Sequence, residues 1–141
     1  MVTLTTKRRL DEIRLSKEVS DTLHRVNTAL FGTHYSRRKT IRLSTLAVQE
    51  RSIEQGLHTH ILVGVPEGSL ELKANPALVP VPDLIIRTWV SLDDRFMRSA
   101  NAQDAREIYD FEGARRYVMK TMTSFEALNR ADWLNTTSSD V

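Results

Sequence analysis

The sequence predicts an α+β protein in which helices pack on one antiparallel sheet. Three observations predict it. Short, β-rich stretches with alternating character, Val2 to Thr6, Ile41 to Glu50 and Gly56 to Val65, are interleaved with stretches whose apolar residues recur at helical spacing. The second and third of them are separated by a connection of hairpin length, which favours antiparallel pairing. At 141 residues, 40% hydrophobic and 27% charged, the chain has material for one core and too little for two.

Each element has its own signal. Val2 to Thr6 is β-branched and reads as the first strand. Ser16 is placed to cap a helix from Lys17 to Phe31, with Val19, Leu23, Val26 and Leu30 on its buried face, Glu18 in its first turn and Gly32 ending it. His24 on this helix and His34 after it read as surface residues. The loop Thr33 to Lys39 carries Tyr35 beside Arg37, Arg38 and Lys39. In the strand Ile41 to Glu50, Leu43, Thr45, Ala47 and Gln49 share one side, while Ser44, Leu46, Val48 and Glu50 share the other. Gly56 leads into the third strand, which Pro66 and Gly68 stop. Pro76, Pro80 and Pro82 make an extended connector. Asp83 caps a helix from Leu84 to about Phe96, with Ile85 and Trp89 in its buried face. Arg106 to Asp110 is a short strand carrying Ile108, Phe111 to Met122 a helix, and Ser124 to Trp133 a further helical turn or two.

The order β-α-β-β-α-β-α is the split arrangement of ferredoxin/RRM-like sheets. It forms one domain over 1–134, with Asn135 to Val141 expected as a disordered tail.

Composition narrows the chemistry. There is no cysteine, which excludes thiolate metal sites, disulfides and thiol catalysis. No basic leader precedes a long apolar run and no window is long enough to span a membrane, so a soluble cytoplasmic protein is expected. A formal charge of +2 does not by itself imply nucleic acid, but the cations cluster at Lys7-Arg8-Arg9, Arg37-Arg38-Lys39 and Arg115-Arg116.

The third strand carries the most pointed signal. His58 and His60 are two apart, so their side chains leave the same face side by side. Two imidazoles on one rigid face suit a divalent ion, or else belong to a half-exposed strand that happens to carry two histidines. A metal so held needs a third ligand, commonly a carboxylate. Hairpin pairing brings Glu50 and Gln49 beside the start of the histidine strand. Glu50 is the preferred ligand and Gln49 the alternative, since a one-residue slip exchanges the faces. Glu54 in the turn is a weaker candidate. Some sixty residues on, Tyr117 and Lys120 are three apart on one helix face.

The run Gly56-Leu57-His58-Thr59-His60-Ile61-Leu62, preceded by Gln49-Glu50 and followed by Tyr117-Val118-Met119-Lys120, resembles the HUH endonucleases, and within them single-tyrosine rolling-circle replication initiators. The resemblance spans Val2 to Lys120 and departs in places. Thr59 is polar where the family carries a bulky hydrophobe, and the first motif is matched only loosely by residues 1–6. Tyr109 falls eight residues before Tyr117, so no second tyrosine serves a two-tyrosine cycle.

The resemblance implies a sequence-specific nickase and ligase of single-stranded DNA. His58, His60 and Glu50 would hold Mn²⁺ or Mg²⁺. Tyr117 would attack in line, leaving a 5′-phosphotyrosine and a free 3′-hydroxyl, and Lys120 would favour the phenolate or stabilise phosphoryl charge. Arg37, Arg38, Lys39, Arg115 and Arg116 would contact the DNA backbone. The implied partners are single-stranded or hairpin DNA at a replication origin, with a host helicase and polymerase, and the protein would be a monomer or weak dimer. Three other readings remain at this point: a single-tyrosine transposase, a non-catalytic DNA-binding module, and a cupin-type metal enzyme, which needs a β-rich jelly roll.

Overall fold

The computed structural model describes residues 1–7, 9–37, 42–66, 79–93, 98–119 and 130–137. Its elements are β1 (Val2–Leu4), α1 (Glu12–Phe31), β2 (Ser44–Ser52), β3 (Gly56–Gly64), α2 (Val81–Ser91), β4 (Asp104–Ala105) and α3 (Phe111–Met119). The four strands form one antiparallel sheet in the order β2-β3-β1-β4. The class is therefore α+β, as expected. Among the described residues no helix is long and apolar enough to cross a membrane.

The sheet has two different faces. On one, Val2 and Leu4 of β1, Ala47 of β2, and Leu57 and Ile61 of β3 meet Leu15, Val19, Val26 and Leu30 of α1 and Val81, Ile85 and Trp89 of α2. This is the main core. Full burial of a side chain of this size is worth about 1.5–3 kcal/mol. On the other face Val48 and Leu62 form a smaller cluster covered by Met1, Leu46, Ile108 and Ala114, the last from α3. The histidines belong to this second face, because they alternate with Leu57, Thr59 and Ile61.

The core is tied by Arg98. It lies over the Trp89 ring at 3.5 Å from the centroid, donates to the Trp89 carbonyl, and pairs with Glu18 of α1. Glu18 thus links two elements instead of decorating a first helical turn. That turn lies earlier than expected: α1 begins at Glu12, and Asp11 is its cap, its carboxylate accepting from the Arg14 amide at 2.8 Å. Ser16 lies inside the helix. Gly32 ends it, as expected, with φ 85°.

Other boundaries move for similar reasons. α2 starts at Val81, where Pro80 and Pro82 supply fixed φ at a position that needs no amide, and it ends at Ser91. Asp83 is therefore within its first turn and is not the cap. Phe96 lies outside the described residues. β4 is Asp104–Ala105, earlier and shorter than the strand expected at Arg106 to Asp110, and Ile108 packs from the following segment.

The C-terminal segment departs most from expectation. Where a helix and then a disordered tail were expected, residues 130–137 run along the outer edge of β2. Thr45 and Thr137 exchange two backbone bonds of 2.8 Å, the Asp132 amide donates to Ala47, and the Gln49 amide donates to Arg130. Asn135 is buried, donating to the Ser16 carbonyl and the Asp132 carboxylate. An otherwise unpaired strand edge is closed in this way. Residues 138–141 lie outside the described ones.

Candidate metal centre

The β2–β3 hairpin builds the centre. Its register pairs Glu50 with His58 and Val48 with His60. The turn that sets this register is Ile53 to Gln55, closed by Gly56 at φ 66°, a left-handed conformation that glycine adopts without penalty. Glu50, His58 and His60 consequently project from one face, and one ligand atom from each lies within 4.8 Å of the others. The pleat puts Glu50 on the face of the histidines and Gln49 on the opposite one, where the Gln49 side-chain amide donates to the Glu12 carbonyl of α1. Glu54 is exposed in the turn and takes no part in the group.

The distances suit a shared ion. Glu50 Oε2 lies 3.1 Å from His60 Nε2 and 3.9 Å from His58 Nε2. Two ligands each ~2.1 Å from one ion are themselves separated by roughly 3–4 Å, depending on the coordination angle. Both rings are buried, at 3% exposure for His58 and 8% for His60, while the Glu50 side chain is 29% exposed and forms the open side. The rings meet edge to face with centroids 4.9 Å apart.

Each ring is oriented from behind. His58 Nδ1 is 3.1 Å from the Gly56 carbonyl, which can only accept, so Nδ1 carries a proton and Nε2 is the nitrogen turned toward Glu50. His60 Nδ1 is 2.9 Å from the buried Thr3 hydroxyl of β1. A hydroxyl both donates and accepts. It therefore serves either tautomer, one with Nε2–H bonded to Glu50 and one with Nε2 free to ligate. Thr3 was not among the residues singled out from sequence. The signal lies in the β1–β3 register, Thr3 opposite His60, which is a long-range pairing.

Tyr117 of α3 lies over the same face. Its ring is edge-on to His60 with centroids 6.3 Å apart, and the residue is 49% exposed. Tyr109 is instead turned outward, its hydroxyl donating to Glu107 at 3.0 Å. That carboxylate, by hydrogen bond and by charge, holds the Tyr109 phenol above its ordinary pKa. Arg115 and Arg116 flank Tyr117 on α3 and are exposed, Arg115 bonded to Glu112. Arg37 is exposed in the single turn after α1. It sits at the end of α1 (~30 Å long) opposite Glu12, the residue level with Gln49, so the fold does not gather Arg37 with the metal group. Lys120, Arg38 and Lys39 lie outside the described residues.

Fold and site together define an α+β domain with a two-histidine, one-carboxylate group that could hold a divalent ion, beside a tyrosine on a covering helix. The jelly roll that a cupin requires is absent from the described sheet. Comparisons with protein-family models, with curated proteins and with solved structures return no match.

Proposed function

We propose that this protein is a metal-dependent, sequence-specific single-stranded DNA endonuclease of the HUH type that starts rolling-circle replication through a 5′-phosphotyrosine intermediate. The observation that carries the reading is the placement of Tyr117 beside His60, on the face where Glu50, His58 and His60 converge.

The carboxylate suits Mn²⁺ or Mg²⁺, the ions the resemblance implies, and the two imidazoles favour the transition ion of the pair, Mn²⁺. When bound, the ion neutralises phosphate charge and orients the scissile bond. The chain's own residues do the rest. Gly56 and Thr3 hold the two rings in register, and Glu50 supplies the charged ligand at the open side. Tyr117 Oη attacks phosphorus, the P–O3′ bond breaks, the phenolic proton passes to solvent and the 3′-oxygen takes one up. A free phenol has a pKa of ~10 and is a weak nucleophile at neutral pH, so a nearby cation assists; Lys120, three residues further along the sequence, is assigned that role. Arg115 and Arg116 are assigned to the DNA backbone. Tyr109 is not used. Duplex unwinding and synthesis fall to host proteins.

The test is incubation with single-stranded DNA from the protein's genetic neighbourhood, with Mn²⁺ or with EDTA, read on a denaturing gel. A Mn²⁺-dependent covalent adduct lost in Tyr117→Phe is the expected result. Binding without any adduct would replace this reading with a non-catalytic DNA-binding module. An adduct that joins two DNA ends in an obligate dimer would replace it with a transposase.

A further inference from the structure

We propose that the groove off the end of β1 and β3 is a second contact surface for single-stranded DNA, and that it seats the phosphate backbone next to the cleaved position. The inference rests on the nuclease reading. The groove has a volume of about 880 Å³ and is walled by the chain that leaves β1, by the turn into β3, and by the segment around residue 101.

Its position ties it to the metal centre. Thr3 holds His60, and Thr5, two residues along the same chain, lines the groove. Gly56 holds His58 and is itself in the groove wall. The groove and the metal group thus share the two short stretches of chain that orient the histidines, although none of Glu50, His58 and His60 lines the groove itself.

Its charge suits a polyanion. Among the described residues, Lys7, Arg9 and Arg51 line it against one carboxylate, Glu54. Arg51 is engaged with Glu12 at 3.2 Å, whereas Lys7 and Arg9 are exposed and have no ion-pair partner among the described residues. Among the described residues that line it there is no aromatic side chain, and the cations among them suit phosphates. This gives the first basic cluster of the sequence a use that the metal centre alone does not.

The experiment measures binding of fluorescein-labelled oligothymidylate by anisotropy, in EDTA, between 50 and 200 mM salt. Each phosphate contact on a single strand contributes a slope of about −0.7 in log affinity against log salt. Lys7→Ala combined with Arg9→Ala is expected to flatten the slope by about 1.4, which narrows its gap to the wild type about sevenfold across that fourfold salt range. Asn101→Lys adds a cation to an exposed position of the opposite wall and is expected to steepen the slope and tighten binding, a gain that misfolding cannot produce. Unchanged slopes in both variants, with the wild type still binding, overturn the groove and leave the nuclease reading standing. No binding by the wild type overturns both. Loss of the adduct in Tyr117→Phe with the groove-dependent slope intact supports the groove as a surface separate from the cleaving tyrosine.

Discussion

Replacing Thr3 by valine removes one hydroxyl and keeps the shape of the side chain. That hydroxyl is 2.9 Å from His60 Nδ1, and Thr3 and His60 are only 6% and 8% exposed, so water has little access to replace it. Two effects follow. In the metal-free protein the ring nitrogen loses a buried partner, which costs about 1–3 kcal/mol. In the metal-bound state the ring must carry its proton on Nδ1, with no acceptor to receive it and nothing to fix its orientation. Loss of such a supporting contact typically weakens metal binding about 10- to 100-fold, or ~1.4–2.7 kcal/mol. Isothermal titration of Mn²⁺ into the wild type, Thr3→Val and Thr3→Ser checks this directly and needs no DNA. Thr3→Ser keeps the hydroxyl and is expected to stay close to the wild type. Thr3→Val binding Mn²⁺ as tightly as the wild type would refute the reasoning, and so would Thr3→Ser binding as weakly as Thr3→Val.

Three further predictions rest on different parts of the fold. Ile85 is fully buried and Ile53 fully exposed, so Ile85→Ala is expected to lower stability in urea by about 2–5 kcal/mol, and Ile53→Ala by no more than ~0.5 kcal/mol. Asn135→Ala leaves the buried Asp132 carboxylate short of a donor; it is expected to cost about 1–3 kcal/mol and to speed hydrogen exchange of the Thr45, Ala47 and Gln49 amides, measured by mass spectrometry. The Tyr109 phenol is held high by a hydrogen bond to Glu107 and by its charge, so its deprotonated form is the disfavoured one. Glu107→Gln removes the charge and is expected to shift one tyrosine's absorbance titration to lower pH; an unmoved curve would contradict the contact.

The legible parts of this protein are those fixed by local periodicity. Val19, Leu23, Val26 and Leu30 are the buried stripe of α1, and His58 and His60 share a face because a strand has period two. Glu50 was also within reach, since a hairpin relates its two strands through one short turn, although only the pleat of the folded sheet separates Glu50 from Gln49. What escaped depends on distant partners. Asp11 begins α1 ahead of Ser16, because Ser16 faces Asp132 and Asn135 from the far end of the chain. The polar run Asn135-Thr136-Thr137 has the composition of a loose tail, yet the open edge of β2 gives its backbone partners. Glu18 has the position of a helix-dipole residue and the role of an ion-pair partner for Arg98, eighty residues away. β4 is short because the chain has only two residues to offer alongside Val2 and Thr3 before it turns to place α3 over the histidines.

The two histidines are secured against evolutionary change in unequal ways. The Thr3 hydroxyl can be erased by a single codon change, so the orientation of His60 depends on the identity of a residue far from it in sequence. The Gly56 carbonyl cannot be erased at all, since every amino acid carries one. What position 56 can lose is its φ of 66°, which a side chain would strain even though open space surrounds it. Drift at Thr3 therefore removes an acceptor, whereas drift at position 56 leaves the acceptor in place and turns it away. Loss of the Thr3 hydroxyl alone would leave His58 held from behind by Gly56 for as long as the hairpin keeps its turn.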